Sequence, residues 1–159
     1  MPDNIVRVSR LGFVNAYLVR EDDGLTLVDT MLPRSSKAIL GAADRLGAPV
    51  VRIALTHAHG DHIGSLDELA AALPGVEVLI SARDARLLAK DMSLDPREPV
   101  DKLRLPFPLA SMATWDGPTE LASARALRAL EPARLAPGHG KVVESPLAAM
   151  DAAIAKGTA

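Results

Sequence analysis

The chain has 159 residues, 48% of them hydrophobic, and a formal net charge of -2 with both signs interspersed. That length suits one domain with a real core, and the charge leaves no broad basic field, which excludes nucleic acid as an expected partner. Cysteine is absent, so disulfides and thiolate ligands are excluded and any metal must be held by His, Asp and Glu.

Aromatic residues make up only 3% of the chain. The core must therefore come mainly from Leu, Val, Ile and Ala, with Phe13, Tyr17, Phe107 and Trp115 as the large rings. Met1-Pro2-Asp3-Asn4 has no basic stretch followed by an apolar one. No apolar run approaches the roughly 18 residues of a membrane span. A soluble cytoplasmic protein with no membrane partner is the expectation.

In chain order, Ile5 to Val8 and Phe13 to Arg20 read as strands, and Glu21-Asp22-Asp23-Gly24 supplies an Asp-Gly turn to a returning strand, Leu25 to Val28. A helix over about Arg34 to Leu46 places Ile39, Ala43 and Leu46 on one face, with Gly47 to end it. Val50 to Leu55 is apolar and β-branched, alternating Val51, Ile53 and Leu55 against Arg52 and Ala54. Ser65-Leu66-Asp67-Glu68 has the spacing of a capping box, so a helix is predicted from there to Pro74-Gly75.

Val76 to Ile80 reads as a strand, and Ser81-Ala82-Arg83-Asp84 opens a helix reaching Lys90. Beyond a Pro-rich stretch, Gly117-Pro118 opens a helix with Leu121, Ala124, Leu127 and Leu130 in a stripe read as core packing, closed by Glu131-Pro132. Arg134 to Ala136 is a short strand, and Ser145-Pro146 starts a last helix ending near Gly157. There is no tandem repeat and no low-complexity tract.

The chemistry concentrates in Thr56-His57-Ala58-His59-Gly60-Asp61-His62, which holds three of the chain's four histidines. The loop follows a strand whose C-terminal end is where α/β folds tend to place ligands. In extended chain, residues two apart face the same side, so His57 and His59 point together. Gly60 then allows a bend that brings Asp61 and His62 toward an adjacent position. Imidazole and carboxylate donors at this density suit zinc or a similar divalent metal, iron and manganese included. The fourth histidine, His139, lies in a second Gly-rich turn, Pro137-Gly138-His139-Gly140, where a polar turn residue and a metal ligand are both consistent with the local sequence.

T-H-A-H-G-D-H resembles the H-x-H-x-D-H metal motif of the metallo-β-lactamase-fold hydrolases, the superfamily that includes glyoxalase II and lactonases. Phe13-Val14-Asn15-Ala16-Tyr17-Leu18-Val19 and Leu25-Thr26-Leu27-Val28-Asp29-Thr30 resemble its opening strands, and Pro137-Gly138-His139-Gly140 its closing turn. These pieces come in the family's order, over about Ile5 to Met150. The resemblance implies an α/β fold, the αββα sandwich, as a single domain over 1–159.

The chain also departs from that pattern. The family's G-H-T-P-G-H-like segment, whose histidine completes the first metal site, and its later bridging aspartate have no counterpart. Several tens of residues are missing near 104–112, which implies a truncated second half. A sheet face left uncovered by that loss would drive self-association, so a homo-oligomer is expected.

By the family's pattern His57 and His59 belong to a first metal, and Asp61, His62 and His139 to a second. The second set keeps three protein ligands, the usual number for catalytic zinc; the first keeps two. One metal is therefore favoured over two. Asp29 is implied as the outer partner that orients a histidine ring, while a helix N-cap or turn role before Pro33 stays open.

The implied activity is hydrolysis of a small-molecule ester, thioester or lactam by a metal-bound hydroxide, with Asp61 orienting or deprotonating the water. The alternative is a catalytically impaired or non-catalytic remnant that binds metal and oligomerises.

Overall fold

The computed structural model describes residues 4–93 and 117–157. The chain divides into two compact units, Met1–Met92 with Pro137–Lys141, and Ser93–Ala136 with Val142–Ala159. Phe107, Trp115 and the expected shortening near 104–112 lie outside the described residues.

In the first unit, β1 (Ile5–Arg10), β2 (Val14–Glu21) and β3 (Gly24–Val28) form an antiparallel meander, with Ile5 opposite Val19 and Tyr17 opposite Val28. The hairpin turn is Asp22-Asp23, flanked by the Glu21–Gly24 pair, so Gly24 is not the turn residue the Asp-Gly reading expected. Its φ is 151°, and a Cβ there would lie 2.7 Å from the Pro49 carbonyl oxygen. That close approach requires glycine.

Helix α1 (Ser36–Leu46) buries Ile39, Ala42 and Ala43 and ends at Gly47, whose φ of 66° lets its N–H reach the Ala43 and Asp44 carbonyls. The chain then returns as β4 (Val50–Ala54), parallel to β3, and β5 (Glu77–Leu79) adds in parallel beyond it. The sheet order is β1-β2-β3-β4-β5. Burial along β4 and the residue after it falls on Val50, Ile53 and Leu55, with Val51, Arg52 and Ala54 half-buried. Arg52 pairs with Glu21 and Asp23 at the β2–β3 turn.

Leu18, Leu25, Leu27, Met31, Ile39, Ile53 and Leu69 are fully buried. At about 1.5–3 kcal/mol for each such side chain, this aliphatic cluster supplies the main favourable term. Short helices α2 (Gly60–Ile63) and α3 (Leu66–Ala72) follow β4, and α4 (Ala82–Leu88) follows β5. The start of α3 falls where Ser65 predicts it, but Ser65 is no side-chain cap. Its buried hydroxyl donates to the Leu32 carbonyl and accepts the Ser35 N–H, while Glu68 accepts from Ser36. The spacing of a capping box is here used to tie α3 to the start of α1.

The second unit contains α5 (Gly117–Ala129), α6 (Leu147–Lys156) and a two-stranded antiparallel sheet of β6 (Arg134–Leu135) and β7 (Val143–Glu144). Strand β7 was not legible in the sequence. The α5 stripe is only partly core: Leu121 and Ala124 are half-buried, but Leu127 and Leu130 are 54% and 75% exposed. Arg128 joins α5 to α6 through Asp151 at 2.7 and 3.1 Å. The fold is thus α/β, with a five-stranded sheet in the first half and a second half reduced to two short strands and two helices among the described residues.

Candidate metal centre

The parallel pairing of β3 and β4 brings their C-terminal ends together, and the Asp29 N–H extends it by donating to the Ala54 carbonyl at 3.0 Å. Beyond β3 the chain turns through Asp29 (φ 60°) and Met31 (φ 56°), left-handed backbone at two residues that carry a Cβ. Strain of this kind persists only where surroundings over-determine it. Here Thr30, fully buried, donates both its N–H (2.6 Å) and its hydroxyl (2.9 Å) to the His62 carbonyl. The end of β3 therefore holds the backbone of His62.

Alternate amides of the loop after β4 are held by carboxylates. The Thr56 N–H donates to Asp29 Oδ1 at 2.9 Å, and the Ala58 N–H to Asp84 Oδ1 at 3.0 Å. Between and beyond these anchors His57 and His59 bring their rings edge to face at 4.4 Å. The bend that follows is the start of α2 itself: His59 is extended (φ -76°, ψ 147°) and its carbonyl accepts the His62 and Ile63 N–H groups. Gly60 has no left-handed φ and open space where a Cβ would sit, so the bend does not depend on the glycine as the sequence suggested.

His62 is 4% exposed, and its Nδ1 lies 2.7 Å from Asp29 Oδ2. A carboxylate can only accept, so Nδ1 carries the proton and a neutral His62 turns the Nε2 lone pair outward. That Nε2 is 3.3 Å from His139 Nε2, and Asp61 Oδ2 is 3.2 Å from His139 Nε2 and 3.8 Å from His62 Nε2. One ligand atom each from Asp61, His62 and His139 thus lie within 4.8 Å of one another.

Thr56 links a second ring to Asp29. Its hydroxyl lies 2.8 Å from Asp29 Oδ2 and 3.0 Å from His57 Nδ1. The one hydroxyl proton goes to the carboxylate, so Thr56 accepts from His57 Nδ1–H, and His57 also presents a bare Nε2 when neutral. The two rings differ electrostatically. The Asp29 hydrogen bond holds His62 above the usual imidazole range, whereas burial, then repulsion from His62 and His59, holds His57 below it.

His139 reaches this place on a turn fastened to β1 and β2. Asn15 N–H donates to the Gly138 carbonyl at 2.9 Å, and Asn15 Nδ2 to the Pro137 and Gly140 carbonyls at 3.1 and 2.8 Å. The Tyr17 hydroxyl donates to the Pro137 carbonyl at 2.7 Å; burial raises its pKa, so it stays a protonated donor at neutral pH. Gly138 is a close approach, since a Cβ there would lie 2.6 Å from His62 Cε1. Phe13, 53% exposed, stacks on the His139 ring at 6.4 Å.

All five residues singled out in the sequence, His57, His59, Asp61, His62 and His139, meet in the first unit. His57 packs 4.1 Å from the His62 ring, yet neither it nor His59 joins the three-donor set. Asp29 is a turn residue and also the partner of His62, which unites its two readings. Sequence reasoning missed Asp84, read only as a helix opening, and the roles of Asn15 and Tyr17, read only as strand residues. An Asp at the third position of a helix start and a polar residue inside an apolar strand are the signals that were available.

A profile of the metallo-beta-lactamase superfamily matches residues 9–143. The uncharacterized protein YobT of Bacillus subtilis (strain 168) is 32% identical over 209 residues, covering 90% of this chain and 90% of its own. An alignment of that length over a 159-residue chain opens gaps on this chain's side, so YobT carries residues this chain lacks. Hydroxyacylglutathione hydrolase of Gloeobacter violaceus is 39% identical over 70 residues, 44% of this chain and 28% of that enzyme. The crystal structure of BJP-1, a subclass B3 metallo-beta-lactamase of Bradyrhizobium japonicum, is 32% identical with a TM-score of 0.49, covering 54% of this chain and 33% of that one. The chain therefore spans about a third or less of the length of the latter two proteins. The extent of the profile match settles the family: the chain belongs to the metallo-beta-lactamase superfamily.

Proposed function

We propose that the chain is a metal-dependent hydrolase of a small acyl substrate, an ester, thioester or lactam, working with a single zinc, iron or manganese ion held by Asp61, His62 and His139. The observation that carries this reading is the convergence of those three donors within 4.8 Å, with the Asp29 carboxylate behind His62 fixing which nitrogen faces the others. The donor set fits a borderline divalent cation in chemistry and number. Bound there, such an ion supplies Lewis acidity, lowering the pKa of water from 15.7 toward about 7 and polarising an acyl carbonyl.

The rest is done by the chain's own groups. Asp29 and Thr56 hold His62 and His57 in the Nδ1–H tautomer. Asp61, a third exposed, orients water and takes a proton on the carboxylate oxygen not turned toward His62 and His139. Phe13, exposed at the β1–β2 turn and stacked on His139, offers apolar surface beside that ring for the acyl group. His57 and His59, with two donors, form the weaker position.

The second reading is a metal-binding remnant without turnover. It is favoured by one observation, the residues present in YobT and lacking here. Self-association through apolar groups such as Leu127 and Leu130, left exposed in the second unit, belongs to both readings. No helix among the described residues is long and apolar enough to cross a membrane, and a cytoplasmic site of action is part of the proposal. Hydrolysis of a generic thioester or ester by the zinc-loaded chain, lost in His62→Ala, supports the hydrolase; zinc uptake with no turnover supports the remnant.

A further inference from the structure

We propose that Asn15 is a positioning residue for His139, and that its side chain serves the metal centre rather than the stability of the strand that carries it. The inference rests on the ligand reading above. Asn15 lies on β2, 1% exposed, on the strand face it shares with Tyr17 and opposite the apolar face of Val14, Ala16 and Leu18. Its side-chain nitrogen spends both protons on the carbonyls of Pro137 and Gly140, which bracket His139, and its main-chain N–H takes the carbonyl of Gly138 between them. One residue thus fixes three of the four peptide carbonyls of the turn.

The other end of the same amide tells the same story. Asn15 Oδ1 is buried with no hydrogen-bond partner among the described residues. Leaving that acceptor unpaired forfeits its hydration, while both donors of the same amide are kept on the turn. This amide is oriented by the turn's two carbonyls, with the Tyr17 hydroxyl also within its reach. The Tyr17 hydroxyl adds a second donor to Pro137, and Arg7 a further one to Gly140 at 3.2 Å. The turn is separated from β2 by more than a hundred residues of chain, so these bonds, with the Gly140 N–H to Phe13 carbonyl bond at 3.2 Å, are what set the position of the His139 ring relative to His62.

The test measures zinc affinity of the full-length chain by competition with chelators of graded strength. Asn15→Asp keeps the shape and replaces two donors by acceptors; it is expected to weaken zinc by about 10- to 100-fold, the effect of losing an outer-shell partner. Tyr17→Phe, which removes one hydroxyl and leaves the ring, is expected to cost a few-fold and keeps the test available if Asn15→Asp fails to fold, as judged by circular dichroism. Each substitution is then made in a His139→Ala background, where neither is expected to change the remaining affinity. Unchanged zinc affinity in folded single variants, or the same loss with and without His139, overturns the positioning role. A wild-type chain that takes up no zinc overturns the ligand reading beneath it, a distinct outcome.

Discussion

His62 Nδ1 and Asp29 Oδ2 lie 2.7 Å apart with both side chains at or below 5% exposure. Asp29 also receives the Thr56 N–H and hydroxyl, so one buried carboxylate joins the end of β3, the start of the histidine loop and the metal-facing ring. Replacing it by Ala leaves His62 free to adopt either tautomer and strands the Thr56 N–H. Asp29→Ala is expected to weaken zinc binding about 10- to 100-fold and to destabilise the chain by about 3–5 kcal/mol, as breaking a buried pair does. Calorimetric zinc titration and denaturant unfolding measure the two.

Gly138→Ala tests the packing of the turn on the ring. The added Cβ would meet His62 Cε1 at 2.6 Å, and His62 cannot retreat because Asp29 and Thr30 hold it. The turn must move instead, carrying His139 away. Overpacking of this kind costs about 1–3 kcal/mol, and zinc affinity should fall more than stability does. Equal affinity in the variant and the parent would show that the turn yields without consequence.

Asp84 anchors the other side of the loop. Its Oδ1 accepts the Ala58 N–H, while Ser81 donates to Oδ2 at 2.5 Å. Asp84→Asn retains an acceptor for Ala58 and should leave amide exchange at Ala58 slow; Asp84→Ala removes it and should raise the exchange rate at least about tenfold, one bond's worth of protection. Nuclear magnetic resonance exchange on the metal-free chain distinguishes the two variants.

The pH dependence follows from the raised pKa of His62. In the metal-free chain the folded state binds this proton more tightly than the unfolded state. Its contribution to stability is fully present below the unfolded value, about 6.5, and is lost as pH rises through the higher folded value. The stability gap between the metal-free parent and His62→Gln should therefore narrow with rising pH. Zinc competes with the proton for the same ring, so zinc affinity should change in the opposite direction and weaken as pH falls through that range.

Much of the first half could be read from residues alone. Strand-forming runs, Gly47 as a helix end and the histidine loop at the end of β4 all rest on local chemistry, which sequence carries directly. The contributions of Gly24, Ser65 and Asp84 did not show, because each is defined by a neighbour distant in the chain: Pro49 for Gly24, Leu32 and Ser35 for Ser65, Ala58 for Asp84. The α5 stripe was misread as core in its later half for the same reason. Periodicity places Leu127 and Leu130 on a face with Leu121, but nothing in periodicity says where the partner element stops. The convergence of His139 with His62 was legible only through the order of motifs, since the bonds that enforce it come from Asn15 and Tyr17 on β2.

Completion of the site by His139 beside Asp61 and His62 is measured most directly by metal content. Elemental analysis of the purified wild-type chain and of His139→Ala, each equilibrated with limiting zinc against a chelator, should find about one tightly held zinc per wild-type chain and an affinity at least about 100-fold weaker in the variant, as expected when a three-ligand site loses a ligand. Equal zinc retention by the two proteins, or none in the wild type, would contradict it.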